Sequence, residues 1–351
     1  MVTRRRATIL LAAAAAALFL AASGCASRAH LPGALAPMLW PPAPEAPRIH
    51  LVGEFAGPED LGLARGPIGR VIDWIAEPSE NRLVRPYAVA VAGTAQGTGP
   101  GDTAAPGPAV IAVSDTGAKV VHLFDLEHRA HRVVSEVGDV RRLTSPVGVA
   151  FDAQRRLYVC DSVLAAVVRY QADGAFDRVI SEGFARPAGI AIDAASGVLY
   201  VSDAAEHAVR QFDLDGKPLG LLQIPVRFPT HLAFASGRVL VCDSLGFRVL
   251  VVAPDGKVEA SVGQLGDGSG DLQRPKGVAL DSDGHVFVVD ALFDNVQVFG
   301  QDGAFLLPFA SRGSGPGELS LPAGLAIDAR DFVYVADTFN GRVQVFRYLR
   351  E

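Results

Sequence analysis

The sequence predicts an all-β fold, a six-bladed β-propeller of four-stranded antiparallel blades, and two observations lead to that prediction. A pattern of three strands with period-2 alternation recurs six times along the chain. Asp-Gly pairs, which favour tight hairpin turns, stand between apolar runs in four of the copies. The pattern is clearest in the last copy, at residues 321–328, 332–337 and 342–346.

Each copy is marked by a proline that begins its first strand and an aspartate that ends its second strand. The prolines are Pro86, Pro146, Pro187, Pro229, Pro275 and Pro322, and the aspartates are Asp115, Asp161, Asp203, Asp243, Asp290 and Asp337. From the second copy onward, successive prolines lie 41, 42, 46 and 47 residues apart, a period typical of propeller blades. The first copy is longer because a glycine-rich segment near residues 92–109 interrupts it.

The two ends of the repeat array predict how the ring closes. The sixth copy stops near Tyr348 after three strands, whereas residues 48–55 form a strand-like run that belongs to no copy. We expect residues 48–55 to supply the outer strand of the last blade, because this pairing removes an exposed edge; a free N-terminal strand is the alternative. Residues 68–76 carry apolar side chains at helical spacing, which predicts one short amphipathic helix docked on the propeller.

Residues 1–24 read as an export signal rather than as part of the fold. Three arginines precede an apolar run of 14 residues, which is short for a membrane span and typical of a secretory signal. The run leads into Ala22-Ser-Gly-Cys25, which resembles the lipobox of bacterial lipoproteins and implies lipidation of Cys25. Because Ala26 is not aspartate, the resemblance implies the outer membrane. An ordinary signal peptide with a chance cysteine is the alternative.

The segment after the signal predicts a tether, and the net charge argues against a nucleic-acid-binding protein. Residues 25–47 contain six prolines and little periodicity, which predicts an extended tether to a propeller at residues 48–348. Removing residues 1–24 takes away three arginines and no acid, so the formal net charge changes from −6 to −9. A nucleic-acid-binding face needs clustered lysine and arginine. We therefore expect no nucleic-acid partner, and membrane contact through the lipid alone.

The repeats resemble those of the NHL-repeat family, whose copies run Pro-x-Gly, then a strand like Tyr-Val-x-Asp, then Arg-x-Gln-Val-Phe. The likeness covers about residues 48–348 and is most specific at residues 322–346. It is weaker at Tyr87-Ala88 and at Thr230-His231, where the second residue after the proline is not glycine. The resemblance implies a propeller and raises an enzymatic alternative: amidating lyases of this family bind zinc through channel histidines, and other six-bladed propellers are calcium-dependent lactonases.

Residues that recur in every copy are interpreted as structural. An active site uses one residue for each role, whereas the strand-ending aspartate occurs in all six copies, and an aspartate carboxylate accepts backbone N–H bonds in turns. Cys160 and Cys242 stand at matching positions of the second and fourth copies. Non-adjacent blades hold them farther apart than the roughly 7 Å that a disulfide allows, so we expect two buried free thiols. The sequence contains no dithiol or haem-attachment motif.

Residues that break the repeat symmetry are the candidates for function. His231 replaces a glycine where the chain enters a channel-lining strand, and Lys276 follows the proline at an equivalent mouth. Together with Arg186 and Arg274, which precede their prolines, they predict a partly basic channel mouth. Two interpretations of His231 remain: a structural histidine held by hydrogen bonds, or a metal ligand. The sequence predicts no catalytic set and no cofactor, and a metal in the channel is compatible with it.

Apolar residues follow the strand-ending aspartates in loops where related repeats carry polar ones. These residues are Leu245, Phe247, Leu292, Phe293 and Phe339. They share one face of the propeller, called the top face, with the proline loops. Clustered apolar side chains at hairpin tips, rimmed by polar groups, are typical of protein contact surfaces; folding back onto the next blade is the alternative. The sequence thus predicts an envelope module that binds another envelope protein or complex, with a metal-dependent lyase or hydrolase acting in the channel as the alternative.

Overall fold

Strands and turns make up the part of the chain that the structure describes. The computed structural model describes residues 37–63, 81–94 and 108–350, and these contain no α-helix. Cys25 with residues 1–24, and the helix expected at residues 68–76, lie outside the described residues. Within the described ranges, no helix is long and apolar enough to cross a membrane.

The first three blades follow one another along the chain. Strands β1 (Leu39–Trp40) and β2 (Ile49–Phe55) come first and join the last blade. Blade 1 contains β3 (Pro86–Thr94), β4 (Pro108–Asp115), β5 (Val120–Asp125) and β6 (Ala130–Val134). A short pair, β7 (Glu136–Val137) and β8 (Arg141–Arg142), leads to blade 2, with β9 (Pro146–Phe151), β10 (Leu157–Asp161), β11 (Ala166–Tyr170) and β12 (Phe176–Ile180). Blade 3 contains β13 (Pro187–Asp193), β14 (Val198–Asp203), β15 (Ala208–Asp213) and β16 (Pro218–Leu222).

The remaining blades repeat the same order. Blade 4 contains β17 (Pro229–Ala235), β18 (Arg238–Asp243), β19 (Arg248–Val252) and β20 (Val258–Val262). Blade 5 contains β21 (Pro275–Leu280), β22 (Val286–Asp290), β23 (Asn295–Phe299) and β24 (Phe305–Phe309). A second short pair, β25 (Ser311–Arg312) and β26 (Glu318–Leu319), leads to β27 (Leu325–Ile327), β28 (Phe332–Asp337) and β29 (Arg342–Tyr348) of blade 6. Each blade is an antiparallel sheet whose strands pair with their neighbours, which confirms the predicted fold class.

The last sheet joins the two ends of the chain. Its strand order is β1-β2-β29-β28-β27. Strand β2 pairs antiparallel with β29, from Ile49 opposite Tyr348 to Phe55 opposite Val343. The predicted closure of the ring by residues 48–55 is therefore confirmed, and β2 covers the edge that β29 leaves open.

A fifth strand lies on the outside of this closing sheet. Strand β1 pairs with β2 through Leu39 opposite His50 and Trp40 opposite Ile49. The Trp40 ring packs edge-on against the Phe346 ring, with 5.8 Å between the ring centroids, so an aromatic contact anchors a strand of two residues. The compact body accordingly starts at Leu39, inside the segment 25–47 in which the sequence predicts a tether.

The core lies between the blades. Among the described residues, six clusters of buried apolar side chains occur, one at each interface between neighbouring blades. Middle strands face a cluster on both sides, which is why β10 is buried at all five positions and reads as a nearly continuous apolar run. This two-sided burial accounts for a hydrophobic fraction of 49% beside a charged fraction of 20%.

In the four blades that carry Pro-x-Gly, the inner strands approach a neighbour so closely that glycine is needed at the second residue after the proline. A Cβ on Gly148 would lie 2.4 Å from the carbonyl oxygen of Ala188, and a Cβ on Gly189 would lie 2.0 Å from the carbonyl oxygen of Thr230. Neither position has room for a side chain, because a neighbouring backbone occupies the space. The Pro-x-Gly signature is thus a packing requirement of a narrow channel.

Both cysteines of the described residues, Cys160 and Cys242, are free and buried, as the sequence predicts. Burial raises the pKa of each thiol well above its usual value, and the neighbouring carboxylates act in the same direction. Neither thiol therefore has the thiolate character of a reactive cysteine.

Candidate binding face and channel mouth

The strand-ending aspartates hold the loops of the top face in place. The buried Asp290 carboxylate accepts backbone N–H bonds from Gln273 at 2.6 Å and from Arg274 at 3.0 Å. It also accepts them from Leu292 at 2.9 Å and from Phe293 at 3.2 Å. One side chain thereby ties the connection before β21 to the hairpin after β22. Equivalent contacts to the preceding connection are made by Asp115, Asp161, Asp203, Asp243 and Asp337. This recurrence confirms the structural interpretation of the repeated aspartate.

The predicted contact residues lie on hairpin tips of three consecutive blades, 4, 5 and 6. Leu245, Leu292 and Phe339 leave 48%, 42% and 59% of their surface exposed. Phe247 and Phe293 are half-buried, so these two rings partly fold back toward the blades. Because the strands alternate in direction, all these hairpins lie at one end of their sheets. We call the five residues the top patch.

One exposed leucine of the same region was not singled out from the sequence. Leu265 lies in the connection between β20 and β21 and leaves 64% of its surface exposed. This connection lies at the same end of the blades as the top patch, because it joins an outer strand to the next proline loop. The sequence feature that could have identified Leu265 is its position between Gln264 and Gly266, in a loop rich in glycine and aspartate.

Three side chains close the channel mouth at the centre of the top face. The Tyr87 ring stacks on the His231 imidazole, with 5.4 Å between centroids and 24° between the ring planes. The Lys276 ammonium lies 4.7 Å from the centroid of the Tyr87 ring, where the ring quadrupole attracts a cation. Tyr87 comes from blade 1 and His231 from blade 4, so the stacked pair reaches across the channel from opposite sides.

The surroundings of His231 keep its imidazole neutral. Burial lowers the pKa of His231 to about 3, the charge of Lys276 acts in the same direction, and a backbone group of Tyr87 acts against both. Among residues 37–63, 81–94 and 108–350, no group of three or more His, Cys, Asp or Glu side chains is placed to hold a metal ion. The geometry therefore places His231 in an aromatic stack with Tyr87.

Two of the predicted mouth residues are arginines that precede the prolines of blades 3 and 5. Arg186 and Arg274 are exposed, and Asp203 and Asp290 accept hydrogen bonds from their backbone N–H groups. The guanidinium carbon of Arg85 lies 5.6 Å from the centroid of the Phe339 ring, so one basic side chain adjoins an apolar tip. The structure thus brings the predicted mouth residues and the top patch together on one face.

The channel beneath the mouth is nearly filled. A cavity of about 30 Å³ lies there, lined by residues from the inner strands of all six blades. This volume suits one or two water molecules and is far below the roughly 300–1,000 Å³ of small-molecule sites.

Sequence reasoning missed Tyr87 as a mouth residue. The signal was nevertheless present, because the first and fourth copies are the two in which glycine is missing after the proline, at Ala88 and His231. Copies one and four stand opposite each other in a ring of six. The two departures from the repeat therefore lie on opposite sides of the channel, where Tyr87, the residue before Ala88, stacks on His231.

Two family models match parts of the chain. The model described as "SMP-30/Gluconolactonase/LRE-like region" matches residues 114–241, and the NHL repeat model matches residues 319–346. No curated protein matches the chain.

Solved structures share the fold at low sequence identity. A Bacteroides thetaiotaomicron VPI-5482 protein of unknown function matches with a TM-score of 0.59 at 15% identity, covering 76% of this chain and 70% of that chain. Virginiamycin B lyase from Staphylococcus aureus matches with a TM-score of 0.56 at 10% identity, covering 76% and 96%. A chain of a nidogen/laminin complex matches with a TM-score of 0.51 at 18% identity, covering 64% and 80%. At these identities the likeness shows the fold alone. The repeats and the closed ring of six blades show that the chain is a six-bladed β-propeller, and the two model matches support repeats of the NHL type.

Proposed function

We propose that this protein is a lipid-anchored binding module of the bacterial outer membrane, whose top face docks another envelope protein or complex. The observation that carries the proposal is the top patch, an arc of apolar side chains on the tips of three consecutive blades. The same end of the blades carries the basic residues Arg186, Arg274 and Lys276, next to the prolines of blades 3 and 5. Large apolar side chains exposed on one face beside basic groups are typical of protein interaction surfaces.

The top patch is organised before a partner arrives. Asp290 fixes the hairpin that carries Leu292 and Phe293, and Asp243 accepts a backbone N–H bond from Gly246 between Leu245 and Phe247. A surface that is already ordered loses little conformational entropy on binding, so more of the contact energy appears as affinity. This arrangement supports a docking role for these loops.

A protein surface fits the centre of the top face better than a small substrate. The stacked Tyr87 and His231 rings close the mouth, and the cavity beneath them measures about 30 Å³. The alternative function, a metal-dependent lyase or hydrolase acting in the channel, would need more room for its substrate than this cavity offers. The likeness to virginiamycin B lyase, at 10% identity, brings no activity to this chain.

The chain enters the body through β1, which runs antiparallel to β2. Leu39 pairs with His50 and Trp40 with Ile49, so the chain runs through β1 in the direction away from the top face. In this proposal the lipid on Cys25 holds the body at the membrane through the segment that precedes Leu39. The lipid is then the sole membrane contact.

Affinity capture from bacterial envelopes tests the docking role. Wild-type protein is compared with the double variant Leu292→Asp/Phe293→Asp, which puts two charges into the top patch and is expected to abolish recovery of the partner. The matched control, Leu219→Asp/Leu221→Asp, puts the same charges on the outer strand of blade 3, where these leucines are 53% and 44% exposed. Equal recovery by wild type and the top-patch variant contradicts the proposal.

The anchor is tested separately by Cys25→Ser. Loss of the lipidated cysteine is expected to release the protein from membranes into the soluble fraction, with the folded body unchanged. A variant that stays membrane-bound after salt washing contradicts lipidation at Cys25.

A further inference from the structure

A second concave site lies away from the top face, at the seam between blades 5 and 6. A cleft of about 1080 Å³ opens there, slightly above the roughly 300–1,000 Å³ that small-molecule sites occupy. Its walls come from the β1–β2 hairpin, from the outer strand β24 and from the end of β29. Among the described residues, blade 6 alone carries a fifth strand, so this seam differs from those between the other blades. We call it the seam cleft.

One wall of the seam cleft is apolar and partly exposed. Trp40 lines it while packing against Phe309 and Phe346 at centroid distances of 6.3 and 5.8 Å. Leu306 and Leu307 of β24 line the facing side, and Leu306 leaves 47% of its surface exposed. A ligand that covers this wall removes apolar area from water, which is the main source of affinity in such sites.

The loop that closes the hairpin gives the seam cleft a stiff edge. Residues 41–47 contain four prolines, and Pro41 and Pro42 line the cleft. The Arg48 backbone N–H donates to the Trp40 carbonyl oxygen at 2.6 Å and closes the loop. Because proline fixes φ, this edge has little freedom to lose when a ligand binds.

The other end of the seam cleft is polar. His285 and Asp283 line it, and the His285 Nδ1 lies 2.8 Å from the Asp281 Oδ2. The Tyr348 ring contacts the His285 ring edge-on, with 5.5 Å between centroids. Burial and the charges of Asp281 and Asp283 raise the pKa of Tyr348 to about 12, with the Arg48 charge acting against them.

The charges at this end add up to a negative balance. Glu45 and Arg48 line the cleft near the hairpin loop, and Asp283 lines it from blade 5, with Asp281 behind His285. Three carboxylates and one guanidinium therefore lie at this end, and the nearby Arg350 guanidinium is paired with the Asp331 carboxylate. The balance stays negative whether or not His285 carries a proton. A negative site attracts a cation and repels an anion of the same shape.

We propose that the seam cleft binds a small amphipathic cation, a molecule with an apolar chain or ring system and an ammonium group. The apolar body lies along Trp40, Leu306 and Leu307, and the ammonium lies beside Asp283. This site is independent of the top patch, since it occupies the outer seam of the closing blade.

Tryptophan fluorescence tests the proposal on the full chain. The protein contains two tryptophans, so a Trp74→Phe background leaves Trp40 as the sole reporter in the cleft. The probes are decyltrimethylammonium and decanoate, which share an apolar chain and differ in charge, both used below their micelle concentrations. We expect the ammonium probe to change the Trp40 emission with at least about threefold tighter binding than decanoate.

A matched pair of variants locates the site. Leu306→Arg places a cation on the cleft wall and is expected to weaken the ammonium probe about tenfold or more. Leu219→Arg makes the same change at the equivalent exposed position of blade 3 and is expected to leave affinity within about twofold. Asp283→Asn is expected to weaken the ammonium probe about threefold and to spare decanoate.

Each remaining outcome overturns a defined part of the proposal. Decanoate binding as tightly as the ammonium overturns the cationic class. No change in Trp40 emission with either probe overturns the site, provided that the melting temperature shows a folded Trp74→Phe protein. An equal loss in the Leu306→Arg and Leu219→Arg variants overturns its location.

Discussion

Replacing Asp290 by asparagine removes one carboxylate oxygen from the network that organises the top face. In the native protein the carboxylate accepts four backbone N–H bonds, two from the connection before β21 and two from the hairpin after β22. Asparagine keeps the shape of the side chain but offers one accepting oxygen, and its NH₂ group faces N–H donors on the other side. The Arg274 N–H reaches both oxygens, so it keeps a partner either way. Turning the amide one way leaves the Gln273 N–H without its acceptor, and turning it the other way leaves those of Leu292 and Phe293 without theirs.

The expected loss of stability follows from these contacts. A hydrogen bond to a charged group contributes about 1.5–3 kcal/mol, so two lost bonds set an upper value of about 3–6 kcal/mol. The loop N–H groups are only part-buried, so water replaces some of the lost interaction. We expect Asp290→Asn to lower the free energy of unfolding by about 2–4 kcal/mol.

Urea denaturation followed by circular dichroism measures this change. The control is Asp302→Asn, because the Asp302 carboxylate accepts one bond, from the Ala304 backbone N–H at 3.0 Å in an exposed turn. Surface substitutions of that kind change stability by about 0.5 kcal/mol or less. A loss below about 1 kcal/mol for Asp290→Asn, or equal losses for the two variants, shows that the carboxylate does not organise the loops.

Three other results are expected. Thr338→Val removes the hydroxyl that donates to the Pro86 carbonyl oxygen at 2.8 Å across the junction of blades 6 and 1; thermal denaturation should show a loss of about 1–3 kcal/mol, and an unchanged melting temperature contradicts a role in ring closure. The buried thiols of Cys160 and Cys242, whose pKa values burial raises, should resist a thiol reagent in the folded protein and react in denaturant; reaction without unfolding contradicts their burial. Burial lowers the pKa of His122 from 6.5 to about 4, so the stability that this neutral imidazole contributes is present above pH 6.5 and declines as the pH falls toward 4. The free energy of unfolding, measured by denaturation at several pH values between 7 and 4, should therefore decrease less for His122→Gln than for wild type. An equal decrease in both proteins contradicts the lowered pKa.

The fold was predictable from the sequence because each marker residue of the repeat has a local physical cause. Gly189 is required by a carbonyl oxygen 2.0 Å from where its Cβ would lie, and Asp290 is required by four backbone donors. The same contacts recur in most blades, so glycine and aspartate recur in the sequence at the spacing of the blades. Closure by residues 48–55 was predictable because a three-stranded last copy needs a fourth strand.

The closed channel and the seam cleft were not predictable in the same way. Tyr87 and His231 lie 144 residues apart, and their stacking follows from the placement of blades 1 and 4 rather than from a local pattern. Strand β1 has two residues, too few for a period-2 signal, and the packing of Trp40 against the closing blade holds it in place. The Tyr87–His231 stack and the packing of β1 each occur once and join segments that are distant in the chain. Neither therefore produces a repeated pattern in the sequence.

Photo-cross-linking at Phe339 is the sharpest test of the top patch as a contact surface. A benzophenone amino acid replaces Phe339, which is 59% exposed on the tip of blade 6, and the control places it at Phe176, which is 37% exposed on the outer strand of blade 2. Irradiation of cells should give a discrete protein adduct from position 339 and none from position 176. The absence of an adduct at position 339, or the same adducts from both positions, contradicts a docking role for the top face.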